Sequence, residues 1–225
     1  MSVSLPAKLA LGTLAGGATA AGGALAYKEI SKPKAKEKKS IATLIKDSRK
    51  DKRLMTKSNG GSEDHWKKGW KAYLDSKKNI WGLSEWKDVP VDDDPAPTSF
   101  MNKCESVSRE EVVDESDERY VSVLNYCTRD TLVSDLIAET KGKTLLVKDT
   151  NNPSTNQDWL KVWGSYKTKN NKASTDEWDI GSWTSNKDQN NVPVAFMDKC
   201  EEKSKVKAHR LDQPEYLNVL EYCTK

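Results

Sequence analysis

The chain contains few of the residues on which catalytic and metal sites are usually built. Its 225 residues include two histidines, four cysteines and two phenylalanines, and its apolar fraction is 36%. Globular domains of ordinary composition are more apolar than this, so the eight tryptophans must supply much of the core volume. Two histidines are also too few for a zinc or nucleophilic site that draws on several imidazoles.

One pattern occurs twice, with a displacement of 96 positions. Each copy consists of the same residue types at the same spacing: Phe100, Met101, Cys104, Tyr120, Leu124, Tyr126, Cys127 and Thr128, then Phe196, Met197, Cys200, Tyr216, Leu220, Tyr222, Cys223 and Thr224. The repetition predicts a mostly α-helical protein with two tandem small helical units, residues 41–130 and 131–225. Units of that size can fold with modest cores.

The N-terminal segment is uncharged and weakly apolar. Residues 9–27 hold no charge over nineteen positions, which is long enough for a helix that crosses the lipid bilayer. The small residues at 24–26 also resemble a signal-peptide cleavage site. We therefore expect residues 1–27 to be a membrane anchor or a signal segment, and we favour an uncleaved single-pass transmembrane helix because the apolar run exceeds a typical signal core.

Charge divides the rest of the chain into a basic stretch, which begins with a tether, and an acidic remainder. Residues 28–57 hold 12 lysines and arginines against 4 acidic residues, whereas residues 58–225 hold 24 against 30, a net charge of −6. A nucleic-acid-binding protein carries its basic footprint on the folded surface, so no nucleic-acid partner is expected. Residues 28–40 lack apolar periodicity and are predicted to be a disordered tether.

Each unit is predicted to begin with two helices. The apolar spacing in 41–55 and 132–147 favours a helix in both ranges. The next helix has a buried aromatic face in each copy, formed by positions i, i+4 and i+7: Trp66, Trp70 and Tyr73, then Trp159, Trp163 and Tyr166. Ser62 and Thr155 are the expected N-caps, because a hydroxyl there can accept from the open amides of the first turn.

The four cysteines are predicted to form two disulfides. In each unit one cysteine lies early in a helix and the other ends the next helix, so an antiparallel helix hairpin would bring them together as Cys104–Cys127 and Cys200–Cys223. Each such bond would raise the free energy of unfolding by about 3 kcal/mol in the chain-entropy model. Reduced, buried thiols are the alternative. The copies share no histidine, and neither a metal site, a cofactor nor a catalytic residue is expected.

A second tryptophan pair in each unit is the one candidate for ligand contact. These residues are Trp81, Trp86, Trp178 and Trp183. Tryptophan is common at binding hot spots and over cations, although packing in the core is the simpler interpretation of tryptophan in a chain with so little phenylalanine. Acidic runs at 92–94 and 110–118 do not recur in the other copy and are expected to be solvated loops.

The combination of these features resembles the large paralogous families of uncharacterised proteins of haemotropic mycoplasmas. The resemblance is carried by the small-residue N-terminal segment, the lysine-rich tether, the Trp-x-x-x-Trp-x-x-Tyr elements and the Phe-Met-x-x-Cys and Leu-x-Tyr-Cys endings. It implies membrane anchoring, surface display and contact with a host. It implies no activity and no catalytic residue.

We therefore expect a cell-membrane protein with a single span and extracellular repeats. Its predicted function is adhesion or host interaction without catalysis, its partners being the lipid bilayer through residues 9–27 and a host-cell surface protein or glycan. Lysines that follow the apolar run favour the opposite orientation by the positive-inside rule. The alternative is thus a cytoplasm-facing structural scaffold whose polybasic tether binds anionic lipid.

Overall fold

The computed structural model describes residues 37–57, 64–172 and 174–225. Residues 36–225 form one compact unit. The predicted anchor at 9–27 and most of the tether at 28–40 lie outside the described residues. Within the described part of the chain, no helix combines the length and the apolarity needed to cross a bilayer.

The described residues up to 130 form four helices and four short strands. In chain order these are β1 (Lys39–Ser40), α1 (Ile41–Ser48), β2 (Lys52–Leu54), α2 (Asp64–Asp75), α3 (Thr98–Ser108), β3 (Glu111–Val112), α4 (Glu118–Tyr126) and β4 (Thr128–Asp130). Strand β1 pairs antiparallel with β3, and β2 pairs antiparallel with β4. Because each pair joins segments far apart in the sequence, the strands tie the start of this half to its end.

The described residues after 130 form five helices with the same order of major elements. These are α5 (Val133–Glu139), α6 (Gln157–Asn170), α7 (Trp183–Asn186), α8 (Val194–Ser204) and α9 (Pro214–Tyr222). Two isolated antiparallel bridges, Leu132–Lys207 and Leu145–Thr224, join the segments that correspond to β1/β3 and β2/β4. We call residues 41–130 the first half and residues 131–225 the second half.

The first predicted helix of each half is too long. Helix α1 ends at Ser48 and is followed by β2, while α5 ends at Glu139. The Met55 amide donates to the Cys127 carbonyl at 3.0 Å, and the Leu146 amide donates to the Cys223 carbonyl at 2.9 Å. Backbone pairing with the distant end of each half therefore replaces the local hydrogen bonds of a longer helix.

The buried apolar residues form two clusters, one in each half. The first extends from Ile41 to Cys127 and the second from Val133 to Cys223. Each has a phenylalanine at its centre: Phe100 lies 5.2 Å from the Trp70 ring, and Phe196 lies 5.0 Å from the Trp163 ring. The mostly helical class is confirmed. The division into two tandem units at residue 130 stays a prediction.

Candidate functional site

Both predicted disulfides are confirmed. Cys104–Cys127 and Cys200–Cys223 have Cα–Cα distances of 5.4 and 5.5 Å, within the ordinary range for this bond. All four cysteines are at most 3% exposed. Cys104 lies in the middle of α3 rather than early in it, and Cys127 is the C-cap of α4. Each bond therefore fixes the end of one helix to the centre of the helix before it.

A small groove lies over each disulfide. The grooves have cavity volumes of about 280 and 310 Å³. One wall is the extended segment at 54–57 or 145–148, the other wall is α3 or α8, and the disulfide lies at the base. Nine lining positions correspond between the halves: 54–57, 101, 104, 105, 108 and 127 in the first, and 145–148, 197, 200, 201, 204 and 223 in the second.

Ion pairs cross the rim of both grooves. Lys57 on the extended wall pairs with Glu105 on α3, and Lys148 pairs with Asp198 on α8. The hydrogen bond from Lys57 is the main reason that the pKa of Glu105 lies below its ordinary value. A carboxylate held in this way stays ionised near neutral pH and is a poor general acid. The grooves thus offer apolar contact and fixed charge.

The four tryptophans proposed for ligand contact lie in two different environments. In the first half Trp81 and Trp86 are partly buried and pack against the core, and the Trp81 ring stacks on the Tyr73 ring with centroids 4.9 Å apart. In the second half Trp178 and Trp183 are 6% and 4% exposed. Contact of Trp81 and Trp86 with a ligand stays a prediction. The other pair would reach a ligand only if the residues that cover it moved.

Exposed apolar side chains occur in the same segment as the first tryptophan pair. Residues 77–97, called the tryptophan loop below, include Ile80, Val89 and Val91, which are 49%, 72% and 55% exposed. Their neighbours Asp92 and Asp93 pair with Lys71 and Lys67 of α2 at 3.4 and 3.5 Å. The acidic run at 92–94 is therefore attached to the scaffold beside an apolar surface.

A buried polar network holds the matching segment of the second half. The Tyr166 hydroxyl donates to Asp176, and Asp176 also accepts from the amides of Trp178 at 3.0 Å and Ile180 at 2.9 Å. Burial, and then the neighbouring carboxylate, raises the pKa of Tyr166 above its ordinary value. The network is structural: it joins the segment before Trp178 to the core, and its geometry leaves the acid enclosed.

We find no constellation suited to metal binding or acid–base catalysis in the described residues. No three His, Cys, Asp or Glu side chains among them are grouped so that they could hold a metal ion, and all four cysteines are in disulfides. His65 lies at the start of α2, whereas His209 lies after α8.

Sequence reasoning missed the grooves and the Tyr166 network. The signal for the grooves was present in two charged pairs that recur with the repeat, Lys57/Lys148 and Glu105/Glu201. The network residue Asp176 corresponds to Asn79, which likewise accepts from the hydroxyl of Tyr73, at 2.9 Å. A polar residue at the same place in both halves could have indicated a shared hydrogen bond.

Comparison of the chain with protein-family models, with curated proteins and with solved structures found no match. The resemblance to the paralogous families of haemotropic mycoplasmas stays a prediction.

Proposed function

We propose that this protein is a membrane-anchored, surface-displayed protein for adhesion or host interaction, without catalysis. The observation that carries the proposal is the pair of enclosed disulfides, one at the same place in each half. Disulfides form and persist outside the cytosol. Display on the outer face of the membrane provides that environment, and an anchor at residues 9–27 would keep the protein on the cell.

The tryptophan loop is the contact surface that fits this function best. Ile80, Val89 and Val91 are largely exposed, and Trp81 and Trp86 lie partly exposed beside them. Exposed apolar groups gathered on one loop mark contact surfaces on soluble domains, and tryptophan is enriched among the residues that dominate binding energy. The loop is held to α2 by two ion pairs, so its apolar side chains are presented from a fixed base.

The proposal is tested by the binding of the purified chain to erythrocyte membranes. We expect saturable binding that exceeds the binding to protein-free vesicles. Replacing both exposed valines, V89D with V91D, should weaken the binding at least tenfold because two charges would have to be desolvated at the contact.

The matched control is L211D with L217D, which introduces the same two charges at positions of the second half that are 60% and 46% exposed. It should leave the binding unchanged. Absence of saturable binding by the unchanged chain would contradict the proposed function. Equal weakening by the control and the loop variant would remove the tryptophan loop as its contact surface.

A further inference from the structure

A polar cleft lies where the two halves meet. Its cavity volume is about 690 Å³, within the range of small-molecule sites. The first half contributes residues from β2, the start of α2, the end of α4 and β4. The second half contributes Leu132 and the segment at 205–207. Because both halves supply lining residues, a ligand bound here would contact both of them.

The charge of this cleft is opposite in sign to that of the chain around it. Basic residues outnumber acidic ones among its lining residues, the basic ones being Lys52, Lys68, Arg129, Lys205 and Lys207 and the acidic ones Asp64 and Asp130. Residues 37–225, which include the whole cleft, carry 32 lysines and arginines against 33 acidic residues, so the residues outside the cleft have an excess of acidic groups. A recess that differs in sign from its surroundings concentrates ligands of the opposite charge.

Part of this positive charge is neutralised within the fold. Arg129 pairs with Asp135 at 2.6 Å, and Lys205 pairs with Glu201 at 2.7 Å. These two cations are therefore committed to internal carboxylates. The charge that remains for a ligand comes from the other three lysines.

Two of the three remaining lysines share one internal carboxylate. Asp130 accepts from Lys52 at 2.7 Å and also pairs with Lys207, and these hydrogen bonds, with that of Lys207 the larger, lower the pKa of Asp130. One ionised carboxylate thus fixes two ammonium groups and cannot neutralise both. Lys68 is exposed on α2 and makes no ion pair with another described residue.

Further hydrogen-bonding groups lie in the lining. Asn125 can both donate and accept, the Thr128 hydroxyl donates to the Leu124 carbonyl at 2.7 Å and can still accept, and the Asp64 carboxylate can accept from hydroxyl groups. This mixture fits a ligand that is rich in hydroxyls and carries a small number of negative groups. A simple inorganic anion would leave the amide and the carboxylate unused, and an extended polyanion would meet Asp64 and Asp130 as repulsive charges.

We propose that this cleft binds an acidic saccharide, a sugar that carries a carboxylate or a sulfate group. Lys68, Lys52 and Lys207 would contact the anionic group, while Asn125, Thr128 and Asp64 would contact the hydroxyls. The biological meaning of such a site rests on the proposed host-contact function. The binding itself does not depend on where the protein is displayed.

The test is a calorimetric titration of the purified full chain in detergent with three probes: 3′-sialyllactose, a sulfated chondroitin disaccharide and lactose. We expect saturable binding of one or both acidic probes and at least tenfold weaker binding of lactose. Raising the salt concentration should weaken the binding, because the attraction is partly between exposed charges. The first two probes distinguish a carboxylated from a sulfated ligand.

Variants locate the binding in the cleft. K68Q and K207Q should each weaken the binding of the acidic probe about five- to tenfold, whereas K161Q, which removes an exposed lysine of α6, should leave it unchanged. Far-ultraviolet circular dichroism and the melting temperature check that all three variants fold like the original chain.

The proposal is overturned if neither acidic probe binds saturably, if lactose binds equally well, or if K161Q has the same effect as the cleft variants. None of these results would bear on surface display, so failure here is distinguishable from failure of the proposed function.

Discussion

The two halves differ most in the segment that follows their first tryptophan helix. After α2 the tryptophan loop leaves Trp81 and Trp86 partly exposed, whereas after α6 the corresponding segment buries Trp178 and Trp183. Around these segments the halves agree: each has an aromatic cluster centred on one phenylalanine, a disulfide of sequence separation 23 and a groove above it. One scaffold therefore carries two different loops.

The difference follows from how each loop is attached. Tyr73 donates to Asn79, which remains exposed and makes two hydrogen bonds with the Leu83 backbone. Tyr166 donates to Asp176, which is 8% exposed and accepts from two backbone amides. A buried carboxylate must be satisfied by several donors, so the chain around Asp176 closes over the core. In the first half the corresponding residue stays exposed, and the tryptophans of its loop stay partly exposed with it. We accordingly expect ligand contact by tryptophan in the first half.

The largest effect should come from removing a disulfide, and it should be the same in both halves. C104S with C127S, and separately C200S with C223S, should each lower the free energy of unfolding by about 3 kcal/mol, because the closed loops are equally long. Urea unfolding followed by tryptophan fluorescence measures both. A loss in one half only would show that the two disulfides are not equivalent.

The same glycine-to-alanine substitution should change the free energy of unfolding in opposite directions in the two halves. In α2 a Cβ atom on Gly69 would lie 2.5 Å from the Tyr126 carbonyl oxygen, whereas one on Gly164 in α6 would meet nothing within 4 Å. G69A should therefore lower the free energy of unfolding by about 2 kcal/mol through overpacking.

G164A should instead raise the free energy of unfolding by up to about 1 kcal/mol through helix propensity. Thermal unfolding of both variants tests the pair. A stabilising G69A would contradict the close approach of α2 to the end of α4.

The tyrosine networks should differ in strength. Y166F removes a donor from a buried carboxylate, and we expect a loss of about 2 kcal/mol in the free energy of unfolding. Y73F removes a donor from the exposed side-chain amide of Asn79, and we expect a loss of about 1 kcal/mol in the free energy of unfolding. Urea titration of the two variants compares them. An equal loss would mean that the burial of Asp176 does not control the attachment of its segment.

The smallest effect concerns how the first helix of each half begins. The Ser40 hydroxyl accepts from the Thr43 amide at 3.1 Å to cap α1, whereas at α5 the Asp135 carboxylate accepts from the Leu132 amide at 2.8 Å. Burial opposes ionisation of Asp135, but the hydrogen bonds from Arg129 and the Leu132 amide outweigh it and lower its pKa.

Because the folded-state pKa of Asp135 is depressed, its contribution to stability is present above the unfolded value of about 4 and is lost as the pH falls through the folded value. D135N should therefore lower the free energy of unfolding by about 1 kcal/mol at pH 7 and by less at pH 3. S40A should lower it by about 1 kcal/mol at pH 7 and at pH 3. Urea unfolding at pH 7 and pH 3 provides the measurement, and a pH-independent cost of D135N would contradict the assignment.

Local periodicity predicted the parts of the fold that depend on neighbouring residues. The aromatic faces of α2 and α6 are buried as expected, and both predicted cysteine pairs are bonded, although each bond joins a helix end to the middle of the preceding helix. The ends of α1 and α5 could not be predicted in this way, because Leu54 pairs with Thr128 and Leu145 pairs with Thr224. Such pairing is decided by distant segments that a local pattern does not contain.

The site was less predictable than the fold. Thr155 was the wrong N-cap for α6, because the Asn156 side chain accepts from the Trp159 amide at 3.2 Å. The expected cap Ser62 lies outside the described residues.

The cleft between the halves combines Lys52, Lys68 and Lys207, which are widely separated in the sequence. Lys52 and Lys68 belong to the first half and Lys207 to the second, so the packing of the two halves completes the set.

Cysteine labelling on intact cells would show whether the disulfide-bonded halves are displayed on the outer face of the membrane. Cells that make the protein would be treated with a membrane-impermeant maleimide, with and without an impermeant reductant. Cys104 and Cys127 line the first groove, which is the path by which a reagent would reach them, although they are 3% and 1% exposed. We expect the cysteines to be labelled only after the impermeant reductant has opened the disulfides. Full labelling without reductant, seen only once the cells are lysed and the protein is denatured, would contradict that expectation.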